Sequence, residues 1–180
     1  MFSDIKIRSY SAAGLAFLSF LALYFGQFYL KLFIFFVSAV LFFEWMRIIS
    51  QTQWIIRGFL ALFFATFVVF TDGFSAFDLL FVIVGSIIIS SFSAYFNAPP
   101  FWSCFGYIYI LLSLCFLEYI RSLENGLLTI LIIISTIMVS DISGYIFGKY
   151  FSGPKIFKKI SPNKTYSGFT GSIVLSVLWF

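Results

Sequence analysis

Histidine is missing from this chain of 180 residues. Its absence excludes histidine general bases, histidine metal ligands and every catalytic triad that needs an imidazole. Any chemistry must therefore use carboxylates, lysines, hydroxyl groups or a metal ion. Charged residues are scarce too, at 10% of the chain, against roughly 25% in soluble domains. A water-soluble fold could not cover its surface with so few charges, so the sequence excludes a soluble globular domain.

Cysteine is almost as rare, with Cys104 and Cys115 in a single apolar stretch. If that stretch is helical, the two residues lie about 16 Å apart along the helix axis, which is too far for a disulfide bond. The sequence therefore predicts two buried, unpaired thiols.

Apolar residues are what the chain has in excess: 62% of the residues are hydrophobic, and the mean hydropathy is +1.06. A helix needs about 20 mostly apolar residues to cross a bilayer. The sequence predicts an all-α, polytopic bundle of about six complete transmembrane helices and an incomplete seventh, all in one membrane domain over residues 1–180. The complete spans are predicted at roughly 10–28, 29–45, 54–70, 77–95, 101–117 and 127–147. The seventh apolar run would form a helix of only about 20 Å, so we expect the chain to be the amino-terminal part of a longer protein.

The distribution of charge predicts the orientation of the bundle. Basic residues lie at the amino terminus, around Arg47 and Arg57, and after the sixth span, whereas acidic residues occupy the loops at 72–78 and 118–124. Because Lys and Arg accumulate on cytoplasmic loops, this alternation places the amino terminus in the cytoplasm. Lys31 is the exception, and we expect its side chain to snorkel to the headgroups. The same bias explains the formal net charge of +4, so the sequence predicts no nucleic-acid partner.

A carboxylate lies inside the sixth apolar run. Asp141 comes about fourteen residues into it, and an ionised carboxylate at the membrane centre costs about 2.5 to 3.5 kcal/mol. Asp141 therefore needs a partner, a metal ion or water. On a helix it shares one stripe with Gly144 and Gly148, a face with so little bulk that another group can approach closely. The alternative is that Gly144 and Gly148 form a packing seam between helices.

A polar segment at about 148–167 follows and is predicted to be a cytoplasmic loop; its lysines are Lys149, Lys155, Lys158, Lys159 and Lys164. Cytoplasmic loops are basic as a rule, so the lysines are explained as topology signals alone. Ser161 and Pro162 are expected to cap the seventh helix. A helix amino terminus with Lys164 and Thr165 is also typical of phosphate binding, because free amides, the helix dipole and an ammonium group all favour an anion.

Near the end of the second span, Glu44 and Arg47 are three residues apart. We expect an interfacial ion pair between them. The alternative is that Glu44 faces the cytoplasmic mouth of the bundle. Trp45 and Trp54 are suited to the aromatic belt at the membrane surface.

Two motifs in register end the informative part of the chain, and they read Ser140-Asp141-Ile142-Ser143-Gly144-Tyr145-Ile146-Phe147-Gly148-Lys149 and Ser161-Pro162-Asn163-Lys164-Thr165-Tyr166-Ser167-Gly168-Phe169. Together they resemble the bacterial phosphatidate cytidylyltransferases, also called CDP-diglyceride synthetases. The Phe43-Glu44-Trp45 stretch is similar to an early Glu-Trp pair of that family. The strong similarity covers about forty residues, and the rest of the chain matches mainly as a pattern of spans.

The resemblance implies a nucleotidyltransferase of phospholipid biosynthesis in the inner (plasma) membrane of a bacterium. The phosphate of phosphatidate would attack the α-phosphorus of CTP, expel pyrophosphate and give CDP-diacylglycerol. Asp141 and Lys164 are then the expected catalytic residues, with Asp141 as a ligand of Mg²⁺. Substrate contacts are expected at Ser143, Gly144, Gly148, Lys149, Ser161, Pro162, Thr165 and Gly168. CTP would arrive from the cytoplasm and phosphatidate from the membrane, and the sequence is compatible with a homodimer.

One departure from the family is a missing carboxy-terminal signature: a Lys-Arg pair, a later Lys-Asp, a Pro-Gly-His-Gly-Gly turn and closing aspartates. Those aspartates are expected to supply further metal ligands, so we expect little turnover from these 180 residues by themselves. Two other functions are left open. One is a CTP-dependent lipid kinase, which needs the same charges. The other is a non-catalytic membrane module or transporter fragment, in which Asp141 lines a water-filled path.

Overall fold

The protein is described here from a computed structural model, at residues 2–71, 75–157 and 161–179. The described part is almost entirely helical, which confirms the all-α prediction. Its elements are α1 (Phe2–Phe25), α2 (Gln27–Ile49), α3 (Trp54–Val69), α4 (Ala76–Tyr95), α5 (Pro100–Ser122), α6 (Gly126–Tyr150), β1 (Lys155–Phe157), β2 (Ser161–Thr165) and α7 (Tyr166–Trp179).

Among the described helices, α2, α4, α5 and α6 are long and apolar enough to cross a membrane. The apolar part of α1, Gly14–Phe25, is shorter, as are α3 with 16 residues and α7 with 14 residues. A helix of 16 residues is only about 24 Å long. The structure therefore supports a polytopic membrane protein, and the number of six complete spans stays a prediction.

The chain divides into two compact units, Met1–Leu123 and Glu124–Phe180. In the first unit, α2, α3, α4 and α5 pack as a four-helix bundle, and α1 packs on α2. Buried residues recur at every fourth position of α2, and these are Leu30, Ile34, Ser38, Phe42 and Met46. Residues four apart lie on one face of a helix, so this stripe is the side that α2 turns to the core. Both cysteines are free thiols, but they are partly exposed, so the prediction that they are buried is wrong.

Polar contacts hold together the end of the first unit where α1 and α2 are joined. The ammonium group of Lys31 lies 3.5 Å from Glu118 and donates to the carbonyl oxygen of Thr71 at 2.6 Å. The Arg121 guanidinium of α5 donates to the carbonyl oxygen of Leu23 at 2.6 Å. The expectation that Lys31 snorkels is therefore wrong: the residue is 8% exposed, because a carboxylate and a carbonyl are available inside the bundle.

Asp78 completes the same end of the bundle as a helix cap. Its carboxylate accepts hydrogen bonds from the Thr71 hydroxyl at 2.7 Å and from the Ser75 amide and hydroxyl at 2.7 and 2.6 Å. With Ser75 it forms a capping box at the start of α4. Asp72, the other carboxylate of this predicted acidic loop, lies outside the described residues.

At the opposite end of the bundle, Arg57 is fully buried. Its guanidinium donates to the carbonyl oxygens of Thr52 at 3.1 Å, Met46 at 3.1 Å and Ser50 at 2.5 Å, and to the Ser103 hydroxyl at 3.2 Å. These contacts join the end of α2, the α2–α3 connection and the first turn of α5. Arg57 therefore acts as an internal clamp that holds these three segments together.

Trp45 also joins α2 to α5. Its indole N–H donates to the carbonyl oxygen of Trp102 at 2.9 Å. A Cβ atom at Gly106 would lie 1.8 Å from the indole nitrogen, so only glycine leaves room for the ring there. Trp45 is thus packed into the helix contact, whereas the sequence assigned it to the aromatic belt.

The predicted pair of Glu44 and Arg47 does not form within the described part of the chain. Both side chains are exposed, and the Arg47 guanidinium lies 5.9 Å from the centre of the Trp54 ring. Stacking on an aromatic face is a common alternative to an ion pair for arginine. The ion-pair expectation is therefore wrong, and Glu44 remains an exposed carboxylate near the end of α2.

The second unit is a hairpin of α6 and α7 joined through β1 and β2. At one end of the helix contact, Gly148 faces the Thr165 hydroxyl and Gly168. At the other, the Trp179 indole N–H donates to the Ser135 hydroxyl at 2.9 Å. The two helices therefore run antiparallel and stay in contact along most of α7.

Candidate functional site

The segment predicted as a polar loop is largely a β-hairpin. β1 and β2 are antiparallel, with Lys155 opposite Thr165 and Phe157 opposite Ser161. Residues opposite each other share a face of the hairpin, and neighbours along a strand point to opposite faces. The register shifts between these two pairs, so the hairpin carries an irregularity at the level of Lys164. Both lysine side chains are exposed.

Thr165, and not Ser161, caps α7. The helix begins at Tyr166, and the Gly168 amide donates to the Thr165 hydroxyl at 3.2 Å, which is the contact of an N-cap residue with the third helical residue. The expectation that Ser161 and Pro162 form the cap is wrong, because both lie in β2. Their side chains are outside the description of the structure.

The amides at the start of α7 are mostly occupied. The Tyr166 amide donates to the carbonyl oxygen of Pro154 at 3.1 Å, and the Gly168 amide is taken by Thr165. The Ser167 hydroxyl donates to the carbonyl oxygen of Ser152 at 2.5 Å, which ties the start of the helix to the residues before β1. Little of this helix end is left for a phosphate, so an anion would have to use side chains such as Lys164.

Glycines form the contact between α6 and α7. A Cβ atom at Gly168 would lie 2.7 Å from the carbonyl oxygen of Gly144 and 3.3 Å from the Cα atom of Gly148. A Cβ atom at Gly171 would lie 2.4 Å from the Phe147 ring. The group that approaches this stripe of α6 is α7 itself. Gly144 and Gly148 thus form the packing seam that was the alternative reading of their spacing.

Asp141 lies on α6 at the edge of this seam. Its side chain is exposed, and within the described part of the second unit no residue donates a hydrogen bond to it or forms an ion pair with it. Ser143 differs: it is 2% exposed, and its hydroxyl donates to the carbonyl oxygen of Ser140 at 3.0 Å. Asp141 is the carboxylate of the first motif, and its oxygen atoms are open to solvent.

Positive charge lies further along the hairpin from Asp141. Lys149 is exposed, with its ammonium group 5.7 Å from the centre of the Tyr145 ring. It is eight residues beyond Asp141, or about 12 Å along the helix axis. Because Thr165 faces Gly148, Lys164 lies at nearly the same level, roughly 10 Å beyond the carboxylate. Lys158 and Lys159 are outside the described residues.

Comparison with known proteins decides the family. The chain matches the cytidylyltransferase family over residues 6–180. This chain belongs to that family.

Curated relatives match over shorter stretches, and all three named here are phosphatidate cytidylyltransferases. The protein of Aquifex aeolicus is 38% identical over 80 residues, covering 44% of this chain and 30% of the relative. The protein of Brucella abortus is 34% identical over 77 residues, covering 42% and 28%. That of Chlamydia trachomatis is 44% identical over 59 residues, covering 31% and 19%. The matches thus span less than a third of each relative, and no solved structure matches this chain.

Carboxylates and thiols are the side chains of this family member that could bind a metal ion. Among the described residues, no group of three or more Asp, Glu or Cys side chains is close enough to share a metal ion. Mg²⁺ is usually held by one or two carboxylates together with substrate phosphates and waters. Asp141 fits that mode as a single protein ligand, for an ion that also binds a triphosphate.

Proposed function

We propose that this cytidylyltransferase family member binds CTP at the polar end of its second unit, as part of a protein that makes CDP-diacylglycerol from phosphatidate. The observation that carries the proposal is the exposed carboxylate of Asp141, which has no partner among the described residues and lies about two helical turns from the exposed ammonium groups of Lys149 and Lys164. The curated relatives are phosphatidate cytidylyltransferases, which supports these two substrates.

In the proposed reaction, an oxygen of the phosphatidate phosphate forms a bond to the α-phosphorus of CTP. The bond from the α-phosphorus to the oxygen that bridges to the β-phosphorus breaks, and pyrophosphate leaves. Mg²⁺, when bound, would neutralise phosphate oxygens and the leaving group. Asp141 would hold the ion, and Lys164 would contact the triphosphate from β2. Positioning and charge stabilisation supply most of the catalysis in such transfers, so histidine is not needed.

The first test measures Mg²⁺-dependent binding of labelled CTP to the purified 180-residue chain. Asp141→Asn keeps the shape of the side chain and removes its charge, so we expect affinity to fall at least about tenfold. Lys164→Ala should lower it similarly. Lys155→Ala is the matched control, because Lys155 is an exposed lysine on the other strand of the same hairpin. Unchanged CTP affinity in Asp141→Asn would place the nucleotide elsewhere.

The second test follows transfer in a chain extended by the carboxy-terminal signature that the sequence lacks. Label from the α-phosphate of CTP should enter the lipid, and label from the γ-phosphate should appear in pyrophosphate. Asp141→Asn should lower the rate about a hundredfold to a thousandfold. Label from the γ-phosphate in the lipid would instead indicate a CTP-dependent lipid kinase.

A further inference from the structure

A polar cavity of about 1200 Å³ lies at the end of the first unit where α1 and α2 are joined. Its wall includes Gly26 and Gln27 of the turn, Lys31 of α2, and Glu118 and Arg121 of α5. These described lining residues carry two positive charges and one negative charge, so their sum favours an anion. The cavity shares no residue with the proposed nucleotide site, and its ligand does not depend on that proposal.

Arg121 is the cation that this wall presents. Its side chain is held in place by the end of α1, donating to the carbonyl oxygens of Leu23 at 2.6 Å and Tyr24 at 3.3 Å. Gly26, at φ +62°, makes room for it, since a Cβ atom there would lie 3.1 Å from Nη2. Among the residues of the described ranges, no carboxylate pairs with Arg121, whereas Lys31 pairs with Glu118. A guanidinium held in this way is suited to a phosphate group.

An apolar groove of about 770 Å³ starts at the same place. It runs between α1 and α2, from Phe25 back to Leu15 and from Tyr29 on to Leu41, and Phe25 also lines the polar cavity. At 1.5 Å per residue the groove extends about 15 to 18 Å. One leaflet of the hydrocarbon core is about 15 Å thick, half of the usual 30 Å. The groove therefore has the length and chemistry of a site for an acyl chain.

We infer that the cavity and the groove together bind one anionic glycerophospholipid. The phosphate of the headgroup contacts Arg121 in the polar cavity, and an acyl chain lies in the groove between α1 and α2. The joined polar and apolar parts select an amphipathic ligand over a free anion. The charge distribution predicts that this end of the bundle faces away from the cytoplasm, so the lipid belongs to the outer leaflet of the membrane.

The test compares retention of phosphatidylglycerol and phosphatidylcholine by the purified chain in neutral detergent, counted by native mass spectrometry. We expect phosphatidylglycerol to be retained about fivefold better, the effect of one basic residue on an anionic lipid. Arg121→Gln should abolish the preference, and Arg121→Lys should keep it. Gln27→Glu adds a negative charge to the wall without touching the Arg121 contacts, and it should also lower the preference.

Further variants separate the specific site from the general lipid layer. Val37→Trp fills the groove and should reduce retention of phosphatidylglycerol, whereas Arg47→Gln, at the other end of α2, should change nothing. Excess glycerol 3-phosphate should not displace the lipid, because it lacks the acyl chain. Equal retention of both lipids, an unchanged preference in Gln27→Glu, or full retention in Val37→Trp would overturn the inference, and displacement by glycerol 3-phosphate would assign the cavity to free anions.

Discussion

Arg57 shows how one residue can fix one end of the first unit. A buried guanidinium is costly unless its donors are satisfied, and here all its partners are three carbonyl oxygens and one hydroxyl. Two of those carbonyls, of Met46 and Ser50, belong to the end of α2, where the helix dipole favours a cation. The positive charge is thus stabilised by the ends of the helices that it joins.

Removing this side chain should destabilise the fold. Arg57→Met keeps much of the apolar stem but leaves carbonyl oxygens without donors, so we expect the free energy of unfolding to fall by about 3 kcal/mol. Thermal unfolding of the purified chain in detergent measures the change. Arg47→Met is the control, because Arg47 is exposed and its stacking on Trp54 contributes only about 0.5 to 1 kcal/mol. Equal losses in the two variants would argue against the clamp.

At the scale of elements, the pairing of α6 and α7 sets the geometry of the candidate site. The two helices approach until backbone meets backbone at Gly144 and Gly168. That approach brings Thr165 over Gly148, which fixes the start of α7, the end of β2 and the level of Lys164 relative to Asp141. Close packing of small residues is a main source of helix association in membranes, where the hydrophobic effect between helices is lost.

The glycines of the seam between α6 and α7 differ in the space that they leave for a side chain. In Gly168→Ala the new methyl group would lie 2.7 Å from a backbone oxygen, which cannot rotate away, so we expect a loss of about 1 to 3 kcal/mol through overpacking. In Gly144→Ala the nearest atoms would be 3.5 and 3.6 Å away, an ordinary contact. We expect that variant to unfold at nearly the original temperature. Similar losses for both substitutions would contradict the described packing.

At the scale of the whole molecule, the distribution of charge and the contacts within the first unit group the same connections together. Within the first unit, the contacts of Lys31 and Arg121 bring together connections that the sequence assigns to the outer side. The contacts of Arg57 bring together connections that it assigns to the cytoplasm. Lys31 is paired with a carboxylate, and Arg121 is bound to carbonyl oxygens. These partners offset the positive charges, so the two residues conflict less with the rule that basic residues accumulate on the cytoplasmic side.

The orientation can be tested with reporter fusions. A reporter placed after Lys159 should lie in the cytoplasm, and one placed at Glu124 should lie outside it, because the basic segments share the cytoplasmic side. The measurement is the activity of a reporter that works on one side of the membrane alone, with expression matched by immunoblot. Both fusions on the same side would refute the predicted topology.

The sequence by itself determined the class of protein and its family. Composition excludes a soluble fold because 10% charged residues cannot cover a surface in water, and two motifs near Asp141 and Lys164 carry the family resemblance. Both are properties of the linear chain: spans depend on runs of apolar residues, and motifs on residue types at fixed spacing.

The tertiary structure decided which residues have partners. Periodicity placed Gly144 and Gly148 on one stripe but could not say that α7 fills it, since α7 returns only after the hairpin. In the same way, Lys31 was assigned to the headgroups because its partner, Glu118, is distant in the sequence. Whether a polar side chain in a membrane helix is satisfied depends on neighbouring helices, and packing alone fixes those neighbours.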